Sequence, residues 1–260
     1  MEKRLIARGL LAGAAGAVLA FLFARVFAEP VIGRAIAFED GRIEVAHAAG
    51  VHEHGVELFT RGVQGNAGLG FGVLVFGIAM GALFAVLFSV AHGRAGSVGP
   101  RALSIRLAAG AFTAVYLVPF LKYPPNPPAV GQADTIGSRT LWYLVMVLAS
   151  VVLAIAVVWL ARRLSVRVGA WNAGLIAAAA YVVVIALVML VLPTVAETPG
   201  PMRDPSGAIS YPGFPADVLY EFRLVSLVTQ LVLWVTIGLV FSVLAGRLLG
   251  ERAERVPSSG

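Results

Sequence analysis

Ala170-Trp-Asn-Ala-Gly-Leu-Ile-Ala-Ala-Ala-Ala-Tyr-Val-Val-Val-Ile-Ala-Leu-Val-Met-Leu-Val-Leu-Pro193 carries no charged side chain over its whole length. A helix that crosses a bilayer needs about 20 mostly apolar residues. This stretch is long enough. Five others approach the same length: Leu5–Ala28, Gly68–Ala91, Ala102–Leu121, Thr140–Ala161 and Arg223–Leu249. The third is the weakest, because only Leu107 to Leu121 is free of charge, which suits a re-entrant segment as well as a span.

The composition agrees with that reading. Apolar residues make up 59% of the chain, charged ones 13%, and mean hydropathy is +0.87. A soluble domain needs roughly a quarter of its residues charged to cover its surface, so most of this surface faces something other than water. The expected fold is all-α, a polytopic membrane protein of about six helices in a single transmembrane domain spanning 1–260. Residues 29–67 form an acidic external loop, and 122–139 and 194–222 form Pro-rich ones. With no cysteine, neither a disulfide framework nor a thiolate metal site is available. The net charge of +6 does not indicate nucleic acid, because the basic residues sit at the ends of apolar runs instead of in a patch.

Charge placement sets the orientation. With six helices, 12 of the 20 basic residues fall on the side of the termini, together with only three of the 14 acids. By the positive-inside rule both termini are cytoplasmic. A five-helix count would place Arg162, Arg163 and Arg167 outside. A rival reading of the N-terminus is a cleaved signal ending near Val26-Phe27-Ala28. GxxxG pairs at Gly9/Gly13, Gly68/Gly72, Gly77/Gly81 and Gly246/Gly250 let helix backbones approach closely. They serve packing within one chain or, alternatively, a homo-oligomer contact.

The loops carry the polar chemistry. Pro119, Pro125 and Pro127 match Pro193, Pro199 and Pro201 at a constant offset of 74 residues. The match suggests a duplicated helix hairpin, with coincidence as the alternative, and paired Pro-interrupted segments point to transporter sites. Pro119 and Pro193 each free a carbonyl four residues earlier or simply end a helix. His47, His52 and His54, flanked by Glu44, Glu53 and Glu57, offer imidazole and carboxylate to a borderline divalent ion, or else form a solvated acidic loop. His52-Glu53-His54 fails as a zinc-protease motif, because the second histidine belongs where Val56 stands. Arg25 and Lys122 read as interfacial anchors, and Glu29 and Glu221 as partners for Arg25 or Arg223. There is no P-loop and no nucleophile–base pattern, which argues against an enzyme.

Several segments together resemble one family: Phe27-Ala-Glu-Pro30, Phe38-Glu-Asp-Gly41, Leu117-Val-Pro-Phe-Leu-Lys-Tyr-Pro-Pro-Asn-Pro-Pro-Ala-Val-Gly131, Asp134-Thr-Ile-Gly137 with Arg139-Thr140, Gly169-Ala-Trp-Asn172, Glu197-Thr-Pro199, and Phe214-Pro-Ala-Asp-Val-Leu219 with Phe222-Arg-Leu224. They resemble CbtA, the predicted cobalt transporter subunit associated with vitamin B12 metabolism. The resemblance implies a multi-pass protein of the inner (plasma) membrane acting with CbtB, a small single-helix partner. It also implies about five spans, one fewer than the count above, with the short third helix as the point of disagreement. Cobalt (Co²⁺) would be the substrate, with no tightly bound cofactor. The motif positions Glu29, Asp40, Lys122, Asn126, Asp134, Arg139, Glu197, Asp217 and Arg223 become the expected ion pathway. A permease subunit for cobalt or a related divalent ion is the leading function. A non-transporting membrane scaffold that stabilises a partner protein is the alternative.

Overall fold

The computed structural model of the chain describes residues 2–50, 69–131 and 133–250. The long helices among the described residues are α1 (Glu2–Ala48), α2 (Leu69–Ala91), α3 (Pro100–Lys122), α4 (Ile136–Val191) and α5 (Ala216–Leu248). All five are long and apolar enough to cross a membrane. Among the described residues, strands are confined to a short ribbon, β1 (Met202–Arg203) against β2 (Ile209–Tyr211), closed by a turn in which Asp204 accepts the backbone N–H groups of Ser206 and Ala208. The chain is an all-α polytopic membrane protein.

The distribution of apolar side chains supports this assignment. In the most hydrophobic window of α4 only 11% of residues are buried, and Leu190 and Val191 are 80% and 86% exposed. Such a surface in water would be an aggregation site. In hydrocarbon it is a solvated one.

At 56 residues, α4 would be about 84 Å long if straight, more than twice the hydrocarbon thickness. It is not straight. Gly169 leaves helical geometry at φ 79° and ψ 157°, a region open to glycine at little cost. Ser150 and Tyr181 then meet through their hydroxyls at 2.7 Å, and Met146 and Ile185 share one buried cluster. Stepping four residues back from Ser150 to Met146 steps four residues forward from Tyr181 to Ile185, so 136–168 and 170–191 run antiparallel as the two arms of a hairpin. The ambiguity in counting spans therefore resides in α4. The third helix, expected to be short, runs 23 residues from Pro100.

Another departure concerns residues 29–48, expected in a loop but continuing α1 to Ala48 even though Pro30 stands inside the helix. Val31, Ala35 and Phe38 recur at helical spacing and pack on Val130, Phe214 and Val218. Phe38 meets Phe214 edge-on at 4.9 Å, and the Tyr211 hydroxyl donates to the Phe38 carbonyl. Tertiary packing holds helical a segment whose hydropathy alone looks like a connector. Likewise α4 and α5 begin at Ile136 and Ala216, several residues before their apolar runs.

The described residues cluster into two compact units. One takes the chain up to Val26, the stretch ending at Gly110 and the part from Val228 onward. There Gly9 and Gly13 lie against Gly81 and Gly77 so closely that a Cβ on Gly9 would fall on the Gly81 carbonyl. Backbone contact of this kind suits membrane helices, where lipid removes the hydrophobic drive for association. Gly72 has open space around it, so the glycine pattern is a packing motif at some steps only. Phe84, Phe88 and Phe241 complete this core in edge-on pairs at 5.2 and 5.1 Å. The other unit takes α1 from Phe27 and Ala111–Leu227, and it holds every candidate residue of the two Pro-rich segments.

Candidate functional site

Within α3, Phe112–Leu117 widens into π geometry before Val118–Lys122 resumes the α form. Pro119 lacks the N–H that would close the regular ladder there, and π segments of this kind are frequent at functional sites. Pro193 plays the simpler role of following a helix that ends at Val191. Its carbonyl accepts the Tyr123 hydroxyl at 2.7 Å. The two prolines paired by the 74-residue offset thus occupy unlike places.

After Tyr123, Pro124-Pro125-Asn126-Pro127-Pro128 has little conformational freedom, since each proline fixes its own φ and biases the residue before it towards extended backbone. Asn126 is held between two such pairs. The chain then turns through Ala129 (φ 66°) and Gly131 (φ 143°), forms a 3-10 turn at Ala133–Thr135 and enters α4. Arg139 lies one turn into that helix.

Glu197, on the extended segment after Pro193, is where these parts meet. Its side chain is 2% exposed. One oxygen accepts the Thr135 hydroxyl. The other accepts Arg139 at 2.7 Å and the Asn126 amide at 3.3 Å. The Asn126 carbonyl oxygen in turn accepts Arg223 at 3.1 Å. A carboxylate removed from water survives ionised only when paired and hydrogen-bonded. Burial raises the Glu197 pKa, but the hydrogen bonds from Thr135, Arg139 and Asn126, with the Arg139 charge, outweigh it and hold the group below its ordinary 4.5. Glu197 is therefore an anion at neutral pH.

Two cavities flank this network. The smaller, about 440 Å³, is lined by Lys122, Asn126, Arg139 and Arg223 with Tyr116 and Tyr143, and among the described residues no carboxylate lines it. The larger, about 780 Å³, is lined by Glu39, Arg42, His47, Glu197 and Met202 among others. Arg139 lines both. The Arg139–Glu197 pair is thus part of the partition between a cationic chamber and one that carries carboxylates and an imidazole.

Of the nine expected pathway residues, Asn126, Arg139, Glu197 and Arg223 join one network, and Lys122 shares the smaller cavity with three of them. Asp134 is exposed on the 3-10 turn. Asp217 stands 3.6 Å from Arg34, and Glu221 pairs with the same guanidinium. That corrects the expected pairing of Glu221 with Arg25 or Arg223: Asp217 and Glu221 are four residues apart on one face of α5, and Arg34 of α1 meets both. Glu29 and Asp40 lie on the charged half of α1. His47 lines the larger cavity, whereas His52 and His54 lie outside the described residues. Among the described residues, no group of three His, Asp or Glu side chains converges as a metal site.

Thr135 of the Glu197 network and Arg34, the partner of Asp217 and Glu221, were not among the expected site residues. Thr135 could have been found, since it follows Asp134 inside a quoted motif. Nothing local marks Arg34, whose partners are more than 180 residues away.

Comparison with known proteins adds one finding. No curated protein and no solved structure matches the chain. A family model described as "Probable cobalt transporter subunit (CbtA)" matches residues 2–246. That description names a transporter, not an enzyme, and the word subunit implies a partner complex. The match runs through both units and every residue of the Glu197 network, so this chain belongs to the CbtA family.

Proposed function

We propose that the chain is the permease subunit for cobalt, or a related divalent ion, in the plasma membrane, serving vitamin B12 metabolism beside a small single-helix CbtB-type subunit. The observation that carries this reading is the pair of the shielded Glu197 carboxylate with Arg139 in the wall shared by two cavities. Intramembrane or interfacial ionisable groups are costly and commonly mark ion pathways. Glu39, His47 and Glu197 give the larger cavity the oxygen and nitrogen donors that suit such an ion. In the closed arrangement Glu197 is spent on Arg139. Separation of the pair frees a carboxylate for the metal and opens the partition.

Six crossings with both termini in the cytoplasm fit this scheme. The two arms of α4 then each cross once, and Arg162, Arg163 and Arg167 near the bend share the side of the termini. The Pro-rich segments lie on the outer side, where exposed acids such as Asp134 and Asp217 raise the local cation concentration.

The test is cobalt uptake by cells lacking other importers, with the chain expressed beside its small partner. Uptake above the empty vector, lowered in Asp134→Asn and Asp217→Asn, is expected. Uptake equal to the empty vector would overturn the reading.

A further inference from the structure

The smaller cavity is built for the wrong sign of charge to hold a bare divalent cation. Lys122, Arg139 and Arg223 line it, and among the described residues no aspartate or glutamate does. Arg139 is neutralised by Glu197 on the far side of the partition. The other two are not neutralised: among the described residues, neither Lys122 nor Arg223 pairs with a carboxylate. Lys122 leans over the Tyr123 ring at 5.8 Å from its centroid. Arg223 spends one nitrogen on the neutral Asn126 amide, and its Nε is buried without an acceptor among the described residues. Buried donors normally find partners, and like charges sharing one chamber repel unless an anion joins them.

Another part of the wall is aromatic, beside Pro124, Pro125, Thr140 and Val195. Phe112, Tyr116 and Phe120 form a ladder along α3, with ring centroids 6.1 and 5.8 Å apart, and the last two rings line the cavity together with Tyr143. The volume, about 440 Å³, lies in the range of small-molecule sites. It exceeds what a simple inorganic oxyanion would fill. We infer that this cavity binds an organic oxyanion, a phosphate or carboxylate head set among Lys122, Arg139 and Arg223 with an apolar body against Tyr116, Phe120 and Tyr143. Arginine suits such a head because its planar fork meets two oxygens at once. The inference stands apart from the metal reading, since the site is defined without any cation.

The same chemistry is offered by an anionic lipid headgroup and by a soluble organic phosphate. The experiment uses the full chain purified in a neutral maltoside detergent with a metal chelator present. Binding of dioctanoyl phosphatidic acid and of phenyl phosphate is measured in parallel, against dioctanoyl phosphatidylcholine and choline. Saturable binding of either anion is expected, weakened about tenfold or more in Arg223→Gln and in Lys122→Gln. Arg163→Gln, at the bend of α4, leaves it unchanged. Lys122 ends its helix beside the loop, so its variant keeps the test intact if Arg223→Gln fails to fold. Phosphatidic acid alone binding assigns a lipid, and phenyl phosphate binding assigns a soluble ligand. No saturable binding of either anion, equal binding of choline, or anion binding indifferent to both substitutions would overturn the inference.

Discussion

Glu197 and Arg139 stand 58 residues apart in the chain and meet at 2.7 Å, the carboxylate almost wholly shielded and the guanidinium one-third exposed. The contact closes a loop that starts with α4 and returns after it. It also brings Thr135 and Asn126 onto the same carboxylate. Removing one partner of a shielded pair leaves the other without compensation. Glu197→Ala is therefore expected to destabilise the protein by about 3 kcal/mol, read as a lowered unfolding temperature in detergent. Glu197→Gln, which keeps one acceptor, costs less.

The pH dependence follows from the depressed pKa of Glu197. A carboxyl whose folded pKa lies below its unfolded value adds stability that is fully present above the unfolded value and is lost as pH falls through the folded one. The difference in unfolding temperature between the wild type and Glu197→Gln should be constant from neutral pH down to the ordinary 4.5, then shrink as pH falls further. A difference that grows on acidification would contradict the assignment of the ionised form.

The hairpin in α4 is testable at Ser150 and Tyr181, the former fully buried. A double-mutant cycle with Ser150→Ala and Tyr181→Phe should give a coupling of about 0.6 kcal/mol, the usual size for a hydrogen bond between membrane helices. Zero coupling would mean that the two arms do not meet.

Gly81 and Gly72 separate packing glycines from incidental ones. A side chain at Gly81 collides with the Gly9 carbonyl, while one at Gly72 meets nothing within 4 Å. Gly81→Leu should abolish the stable fold, and Gly72→Leu should stay within about 0.5 kcal/mol of wild type. Yield and thermal stability of the purified variants would decide.

These relationships mark where the sequence was readable. Runs such as Ala170–Pro193 reveal helices because hydrocarbon demands length and apolarity of any segment that crosses it. Charged residues 29–48 escaped the same test, since their helix rests on Val31, Ala35 and Phe38 packing against residues 90 to 190 positions away. The helical spacing of those three side chains was visible, but a hydropathy criterion does not register it. The motif residues Asn126, Arg139, Glu197 and Arg223 were legible as a set. Their convergence on one carboxylate was not, because spacing in the chain carries no information about which loops meet. The sign of the smaller cavity was hidden for the same reason: acids outnumber bases in the loops, yet those that line this chamber are basic.

The most direct test of the gate is cobalt entry into vesicles that contain the purified chain and its small partner, followed by a metal-sensitive dye trapped inside. Wild type, Glu197→Gln and the charge swap Arg139→Glu with Glu197→Arg are compared. The account predicts flux in wild type, a fall of about tenfold or more in Glu197→Gln, and partial recovery in the swap. Wild-type flux no greater than that of protein-free vesicles, or flux in Glu197→Gln equal to wild type, would contradict it.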